Sequence, residues 1–443
     1  MRYLNRDIEN QLNIWKEEED RFPLLIRGAR QVGKSSVVRQ FGEKFQFYIE
    51  LNLEQNVEIR KVFDQNLDPH RICEELSLIY NTPIESGQTL LFIDEIQACL
   101  PAISSLRFFY EQFPALHVIA AGSLLEFALS ELPSFGVGRV RSIFLYPFSF
   151  SEFLQAMGEK MLHEFIQKAG PSKPLPDLVH QKALDLFKRF VIIGGMPKVV
   201  SYYVETGNLL KCQEVLDDLV ISYQDDFAKY KKQVSSFMLR EVFKAVVAQN
   251  GNKFIYSKAT SDLNRQQVKS CLELLSMAGL IYPITHTSAN GIPLGAETNT
   301  KFRKYIVFDS GIYQRILGLE LSDILLKSDF NSINKGSIAE LFVGLELMKI
   351  STKRNELFFW QRETKNSQAE VDYLVQVNTS ILPIEVKSGT KGSMQSLYLF
   401  LNEKKLETGI RVSLENFGQY DKVLVYPLYA VVNLLNRKSG VNQ

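Results

Sequence analysis

The stretch Gly28-Ala29-Arg30-Gln31-Val32-Gly33-Lys34-Ser35 decides the fold of this 443-residue chain. The apolar run Pro23-Leu24-Leu25-Ile26 leads into it as a predicted buried strand, and the amphipathic run 36–41 follows it as a predicted helix. A strand, a G-x-x-x-x-G-K-S loop and a helix together form the arrangement of a phosphate-binding P-loop. Its glycines let backbone N–H groups converge on phosphate oxygens, and the helix dipole favours the same anion.

This loop predicts that the chain binds ATP with Mg²⁺. Lys34 would reach the β- and γ-phosphates, and the Ser35 hydroxyl would be a ligand of Mg²⁺. The alternative is a glycine turn that carries a lysine by chance. The predicted nucleotide-binding residues are Gly28, Ala29, Arg30, Gln31, Val32, Gly33, Lys34, Ser35 and Ser36.

A second apolar run ends in two carboxylates. Thr89–Asp94 predicts a strand buried on both faces of a parallel sheet, and Asp94 and Glu95 stand at its carboxyl end, where such sheets bind their ligands. This is the Walker B arrangement, in which Asp94 would hold Mg²⁺ and Glu95 would orient and polarise the attacking water. A solvated acidic turn after a core strand is the alternative.

The bulk composition favours no special environment or partner. The net charge is +1 and 45% of the residues are hydrophobic, so any nucleic-acid contact would need a local basic patch. The four cysteines are widely spread without metal-ligand spacing, which suits a reducing compartment. The first residues lack the apolar segment of a signal peptide, and no apolar run approaches 18 residues. We therefore expect a cytoplasmic protein without a membrane span.

Residues 22–155 resemble the AAA+ core of a prokaryotic ATPase family in which a P-loop domain precedes a C-terminal domain of unknown function. The resemblance rests on five stretches of the sequence, namely Arg27–Ser35, Phe92–Gln97, Ala121–Ser123, Gly138-Arg139 and Tyr146–Phe153.

The resemblance implies two further catalytic residues. Ser123 closes the predicted strand 116–123, where a polar residue of AAA+ proteins senses the γ-phosphate, and a helix N-cap is its competing role. Arg139 or Arg141 would be an arginine finger, in cis or across a subunit boundary, and a surface salt bridge is the alternative for either.

The middle of the chain predicts two helical segments. Residues 156–235 resemble the helical lid of AAA+ proteins, with Gly194-Gly195-Met196-Pro197 near its end. In residues 236–300, predicted helices at 257–263 and 265–277 and a strand at 279–284 indicate a winged helix. Its basic side chains would contact the phosphates of DNA or RNA, and a protein-contact module is the alternative. These side chains are Lys258, Arg265 and Lys269.

The C-terminal segment, 301–443, contains a predicted β-hairpin. The alternating runs 369–377 and 380–387 flank the turn Asn378-Thr379. Placing their apolar residues on one face sets Asp372 opposite Glu385 and Glu370 opposite Lys387. Facing carboxylates repel each other unless a cation or proton lies between them, so this register predicts a divalent-metal site suited to Mg²⁺.

The same hairpin resembles the core of PD-(D/E)xK nucleases. The resemblance implies that Glu340, Asp372 and Glu385 hold the metal and that Lys387 positions or activates the hydrolytic water. The alternative is a nuclease-like fold without activity, or an ordinary hairpin with a Glu370–Lys387 ion pair.

Together these patterns predict an α/β protein of four parts. They are a P-loop AAA+ core with a parallel sheet (1–155), a helical lid (156–235), a winged helix (236–300) and a mixed α/β restriction-endonuclease-like domain (301–443). We expect an ATP-hydrolysing switch that acts on nucleic acid through its nuclease-like domain. The alternative is a nucleotide-dependent switch for a protein partner, or for self-association, whose C-terminal domain is inert.

Overall fold

The computed structural model describes residues 2–132, 138–230, 234–319, 336–350, 356–363, 369–390 and 392–434. The chain forms two compact units. The first is Met1–Tyr146 with Met277–Gly279, and the second is Pro147–Ser276 with Leu280–Gln443. No helix in the described ranges is long and apolar enough to cross a membrane.

The first unit contains a sheet whose strand pairings are all parallel, in the order β2-β3-β4-β1-β5. Its strands are β1 (Leu24–Arg27), β2 (Phe47–Asn52), β3 (Thr89–Asp94), β4 (His117–Ala121) and β5 (Arg141–Phe144). Its helices are α1 (Ile8–Glu17), α2 (Lys34–Gly42), α3 (Pro69–Tyr80), α4 (Leu100–Gln112) and α5 (Leu125–Leu129), with 3₁₀ turns at Val57–Phe63 and Ile96–Ala98.

Burial explains why the central strands of this unit are apolar throughout. Every residue of β3 and β4 is buried, because side chains on both faces of the sheet are covered. The predicted strands at 23–26, 47–52, 89–94 and 116–123 are therefore confirmed. Since β1, β4 and β3 are neighbours and parallel, the loops that follow them meet at one edge of the sheet.

The second unit joins a helical region to a mixed eight-stranded sheet, in the order β12-β13-β11-β10-β9-β8-β6-β7. The strands are β6 (Ile281–Thr287), β7 (Thr298–Val307), β8 (Leu357–Gln361), β9 (Glu370–Val377), β10 (Ser380–Val386), β11 (Gly409–Ser413), β12 (Gly418–Tyr420) and β13 (Val423–Pro427).

The remaining helices of the described ranges follow β5 in the chain. They are α6 (Phe150–Ala156), α7 (Lys160–Lys168), α8 (Asp177–Ile193), α9 (Pro197–Thr206), α10 (Leu209–Asp226), α11 (Ser236–Ala248), α12 (Arg265–Met277), α13 (Ser310–Ile316), α14 (Ser337–Ile350) and α15 (Gln395–Lys404). Single 3₁₀ turns lie at Phe227–Lys229, Tyr256–Lys258 and Leu294–Glu297, and a kinked 3₁₀ segment lies at Leu428–Leu434.

The large sheet contains strands from both the predicted winged helix (236–300) and the predicted C-terminal domain (301–443). β6 pairs in parallel with β8, and the domain boundary predicted after residue 300 falls inside β7. The helix predicted at 257–263 is wrong, because only Tyr256–Lys258 form a 3₁₀ turn. There the Thr260 hydroxyl accepts a hydrogen bond from the backbone N–H of Asp262 at 3.3 Å, and such a local bond competes with helical pairing.

The predicted register of the C-terminal hairpin is confirmed. β9 and β10 pair antiparallel with Ile384 opposite Tyr373 and Leu382 opposite Val375. One step further along both strands, Asp372 stands beside the end of β10, where its Oδ2 accepts a hydrogen bond from the N–H of Val386 at 2.7 Å.

Candidate nucleotide site

The phosphate loop has backbone conformations that only glycine adopts without strain. Gly28 has φ +146°, and a Cβ there would lie 2.1 Å from the carbonyl oxygen of Leu145. Gly33 has φ +97° and is the N-cap of α2, so the chain turns directly from the loop into the helix. The close approach of Leu145 and the sharp turn into α2 explain why the loop begins and ends with glycine.

Lys34 is buried beneath its own loop. Its Nζ donates to the carbonyl oxygens of Gly28 at 3.0 Å and Ala29 at 2.8 Å. Burial lowers the pKa of Lys34 to about 8, although the carboxylates of Glu95 and Asp94 oppose that shift. Loop carbonyls are neutral acceptors, and a phosphate group offers this ammonium a charged partner in their place.

The Ser35 hydroxyl lies against the last residue of β3. Its Oγ donates to Oδ2 of Asp94 at 2.8 Å, and Oδ1 of Asp94 accepts from the N–H of Glu95 at 3.0 Å. Burial raises the pKa of Asp94 above its ordinary value, so a nearby positive charge would favour its ionised form. Two hard oxygen donors in contact, at a partly open edge, fit an Mg²⁺ ion that keeps several of its waters.

Glu95 and Ser123 are brought together, as the sequence predicts for two residues that act on the γ-phosphate. Oε2 of Glu95 lies 3.3 Å from the Ser123 hydroxyl and 3.4 Å from its N–H. The competing N-cap role of Ser123 is wrong, because α5 starts one residue later with Leu124 as its N-cap and has no side-chain cap.

Gln97 belongs to this cluster, although sequence reasoning did not select it as a site residue. Its Nε2 donates to Oε2 of Glu95 at 2.6 Å, which is the shortest of the bonds to that oxygen. A Cβ on Gly122 would lie 2.0 Å from Oε1 of Gln97. The glycine immediately before Ser123 is therefore the sequence signal that another side chain approaches the end of β4.

The remaining loop residues lie where the motif predicts. Gln31 has φ +61°, and the Val32 carbonyl accepts from Nη1 of Arg6 at 3.1 Å, which ties the loop to the start of the chain. Ser36 is exposed in the first turn of α2. The first turn of a helix carries N–H groups without intrahelical partners, and these suit an anion.

The two candidate arginine fingers do not lie at this edge. Arg141 opens β5 and pairs with Leu24, the first residue of β1, whereas the phosphate loop follows the last residue of β1. Arg139 precedes it and forms an ion pair with Glu111, and Nη1 of Arg141 lies 2.7 Å from Oε1 of Glu18. Both arginines thus stand at the opposite end of the sheet from the loop, so a role in cis finds no support.

Comparison with protein families agrees with this geometry. Residues 20–154 match the model of a family described as an AAA domain. This part of the chain therefore carries the sequence of an AAA domain. The match covers the phosphate loop, the Asp94–Glu95 pair and Ser123, all of which lie at the carboxyl edge of its parallel sheet.

Two further family models match the rest of the chain. Both are described as domains of unknown function, DUF8612 for residues 184–323 and DUF4143 for residues 335–431. No curated protein matches the sequence.

Three solved structures are each similar to about seven tenths of this chain. A Walker-type ATPase of Pyrococcus abyssi is 14% identical with a TM-score of 0.44, covering 71% of this chain and 96% of that one. Cdc6p of Pyrobaculum aerophilum is 12% identical with a TM-score of 0.25 and the same coverage. Drosophila ORC bound to DNA is 10% identical with a TM-score of 0.26, covering 72% of this chain and 96% of that one.

A second cluster of charged side chains lies outside the AAA domain, at the C-terminal hairpin. Burial, together with the nearby Asp372 carboxylate, raises the pKa of Glu385 to about 7 and that of Glu340 well above its ordinary value. Nζ of Lys387 donates to Oε1 of Glu385 at 2.6 Å, while Oε2 of Glu385 is buried with no partner among the described residues. The four residues predicted for this site are therefore neighbours.

A buried lysine neutralises part of this cluster. Lys304 on β7 is 1% exposed and forms an ion pair with Glu370, so the alternative Glu370–Lys387 pair is wrong. Burial alone would lower the pKa of Lys304, but Glu370, Glu340 and Asp372 outweigh it and raise that pKa above its ordinary value. The electrostatic balance of the cluster therefore includes an internal ammonium group.

Several carboxylate oxygens of this cluster are bonded to protein groups, and a metal-binding role for Glu340, Asp372 and Glu385 stays a prediction. Among the residues that the structure describes, no group of three or more His, Cys, Asp and Glu side chains is placed to hold a metal ion. One oxygen of Asp372 is bonded to the main chain, one of Glu385 to Lys387, and Glu370 is paired with Lys304.

Proposed function

We propose that this protein is an ATP-driven molecular switch whose AAA domain binds and hydrolyses ATP. The observation that carries the proposal is the meeting of two side-chain pairs at one edge of the sheet. Ser35 contacts Asp94 at 2.8 Å, and Glu95 contacts Ser123 at 3.3 Å, beside a buried Lys34. Oxygen donors, a general base and a cation are the parts that phosphoryl transfer to water requires.

The residues divide the chemistry between them. Lys34 would exchange its two loop carbonyls for the β- and γ-phosphates of ATP, and Ser35 and Asp94 would hold Mg²⁺, which neutralises phosphate charge when bound. Glu95 would orient the attacking water and accept its proton. Ser123 hydrogen-bonds the same carboxylate, so it would link the position of the base to the γ-phosphate.

The test is steady-state ATPase activity together with equilibrium binding of ATP. Glu95→Gln should lower kcat by about 100-fold or more while ATP still binds, because only the base is lost. Lys34→Ala should weaken ATP binding itself. Glu54→Gln is the matched control, since Glu54 is exposed just after β2 at the same edge of the sheet. Unchanged turnover in Glu95→Gln would overturn the proposed mechanism.

We further propose that the output of the switch is contact with DNA or RNA. The support is a local excess of positive charge in a chain whose net charge is only +1. Residues 253–303 contain six Lys and Arg against three Asp and Glu. They include α12 and the β6–β7 hairpin, and the predicted phosphate contacts Lys258, Arg265 and Lys269 are all exposed. A basic helix beside a hairpin suits a nucleic-acid backbone.

Binding of labelled DNA and RNA duplexes and single strands tests this output. The triple substitution of Lys258, Arg265 and Lys269 by Gln should weaken binding about tenfold or more and flatten its salt dependence. The same change at three exposed lysines elsewhere in the unit, Lys160, Lys168 and Lys211, is the control. Equal affinity of both triple variants and the parent would remove the nucleic-acid output and favour the protein-partner alternative.

Cleavage of the nucleic acid is not included in this proposal. The hairpin has the predicted register, but its acidic side chains do not form a metal-ligand set among the described residues. A nuclease-like domain without metal chemistry would serve as a binding module.

A further inference from the structure

A cavity of about 340 Å³ opens where β6, β7 and β8 lie side by side in the large sheet. His286 and Gln361 come from the ends of β6 and β8, and Asn299 and Phe302 come from β7. Lys253 also lines it, and so do Arg362 and Glu363, which follow β8. Its volume is in the range of small-molecule sites. It adjoins the acidic cluster, since Gln361 stands opposite Glu370 in the β8–β9 pairing.

Two polar atoms of the lining are buried without a hydrogen-bond partner among the described residues. They are Nδ1 of His286 and Oε1 of Gln361. Nε2 of His286 lies 3.0 Å from the carbonyl oxygen of Gln361, which can only accept, so Nε2 carries a hydrogen and Nδ1 of the neutral imidazole offers a lone pair. The cavity therefore presents two acceptors that have no hydrogen bond among the described residues, one of them on an imidazole that is 1% exposed. Oε1 of Glu363 lies 3.7 Å from Nδ1, beyond hydrogen-bond distance.

The rest of the lining supplies cations and an aromatic wall. Nζ of Lys253 lies 3.5 Å from the centroid of the Phe302 ring and has no carboxylate partner among the described residues. Arg362 contacts Glu403 at 2.5 Å and remains 38% exposed on its side chain. Among the described residues of the lining, Glu363 is the one acid, and its side chain is largely exposed. The mouth of the cavity thus favours a ligand with a negatively charged group over a positively charged ligand.

We propose that this cavity binds one nucleotide whose base carries an exocyclic amino group, as adenine and cytosine do. The two hydrogens of the amino group would satisfy His286 Nδ1 and Gln361 Oε1, and the phosphate would lie near Lys253 and Arg362. Thymine and uracil carry a single ring N–H and leave one acceptor unpaired. Reading of base edges with a phosphate contact is how proteins recognise unstacked nucleotides.

The inference deepens the proposed contact with nucleic acid, and it rests on that proposal for the source of the nucleotide. The nucleotide would be a unit of a single strand or a free mononucleotide, which share this chemistry. An amino acid has the same donor and anion but carries a full positive charge on its amino group. The cations of the lining disfavour such a ligand.

The experiment measures binding of the full chain to labelled 12-nucleotide oligo(dA), oligo(dC) and oligo(dT), and to free CMP and UMP. CMP is used in place of AMP so that binding to the cavity is not confused with binding of an adenine nucleotide at the proposed ATP site. We expect oligo(dA) and oligo(dC) to bind at least threefold more tightly than oligo(dT). Gln361→Met removes the acceptor at similar size, and Lys253→Gln removes the ammonium group that lies against Phe302. Lys301→Gln, at an exposed position of the same strand, is the control for general loss of charge.

The outcomes separate this inference from the proposed function. A base preference that disappears in Gln361→Met but survives in Lys301→Gln supports the cavity as the site. Oligonucleotide binding with the same preference in all variants overturns the cavity but leaves the nucleic-acid output standing. CMP binding that exceeds UMP binding and is lost in Gln361→Met, without any oligonucleotide binding, supports the cavity and overturns that output. If no nucleotide binds, the inference is overturned.

Discussion

The side-chain amide of Gln97 donates to Oε2 of Glu95 across 2.6 Å, and this bond is shorter than either bond from Ser123 to the same oxygen. Glu95 itself has a left-handed backbone conformation, with φ +49°. The position of Glu95, the proposed general base, thus depends on a neighbour two residues further along the chain. Gln97 would act through Glu95, as a positioning residue.

Gln97→Leu should therefore lower kcat for ATP hydrolysis about tenfold and leave KM for ATP within about twofold of the parent value. The change removes the donor at similar size, and Glu95 does not bind the ground state of the nucleotide. Gln88→Leu is the matched control, because Gln88 donates to Glu85 at 2.8 Å in an exposed turn of the same unit. A parallel rise in KM would show instead that the substitution disturbs the loop.

Gly28→Ala tests whether the phosphate loop needs the close approach of Leu145. The new Cβ would lie 2.1 Å from a carbonyl oxygen, and φ +146° is unfavourable for any other residue, so the loop must move. We expect ATP affinity to fall tenfold or more in equilibrium binding. Gly170→Ala should have no effect, since no atom lies within 4 Å of its added Cβ. ATP affinity equal to the parent in Gly28→Ala would show that the loop rearranges freely.

Local patterns in the sequence predict those parts of the molecule that local physics determines. Alternation of apolar residues sets the register of the β9–β10 hairpin, because a one-residue slip would expose Tyr373 and Ile384. The P-loop, with Asp94, Glu95 and Ser123, follows from buried strands that end in polar residues. The strands of the AAA domain, and the polar residues that end them, could therefore be predicted from the sequence.

Contacts between distant segments could not be predicted in this way. Lys304 pairs with Glu370 across 66 residues, and β6 pairs with β8 across more than 70. Strand alternation gives no partner for a strand, so the boundary predicted after residue 300 cuts a sheet. Arg139 lies just before β5, at the edge of the sheet opposite the phosphate loop. This position follows from the parallel pairing of β5 with β1, which the sequence does not reveal.

Stability of the AAA domain should depend on pH through His117. This residue opens β4, is 3% exposed and packs edge-on against Trp15 and Phe45. Burial, and to a smaller extent the positive charge of Arg21, lower the pKa of His117 to about 4. The unfolded chain, with a pKa near 6.5, binds more protons in the interval between these values. The stabilisation is thus complete above pH 6.5 and is lost as pH falls toward 4.

Urea unfolding followed at pH 7 and pH 5 measures this effect. The contribution of His117 to the free energy of unfolding should be about 2 kcal/mol smaller at pH 5. His117→Leu should reduce the difference between the two pH values by that amount, whatever its effect at pH 7. His70→Leu is the control, since His70 is exposed on α3. If His117→Leu unfolds with the same pH dependence as the parent, the imidazole is not buried in its neutral form.

The last prediction concerns the cation inside the C-terminal acidic cluster. Lys304→Met leaves Glu370, Glu340 and Asp372 without the buried ammonium that attracts all three. Breaking a buried pair from one side is costly, so the free energy of unfolding should fall by about 3–5 kcal/mol. Lys301→Met, at an exposed position of the same strand, should change it by less than about 0.5 kcal/mol. Thermal melts with and without 5 mM Mn²⁺ then show whether a metal can replace the lysine.

We expect Mn²⁺ to raise the melting temperature of Lys304→Met by several degrees and to leave that of the parent unchanged, because the parent already holds its cation. Adding Glu370→Leu to Lys304→Met should recover part of the lost stability, since the pair is then removed from both sides. A saturable Mn²⁺ effect in the parent that disappears in Asp372→Ala would reverse the interpretation. The hairpin would then be a metal site, and strand cleavage would have to be tested with that metal bound.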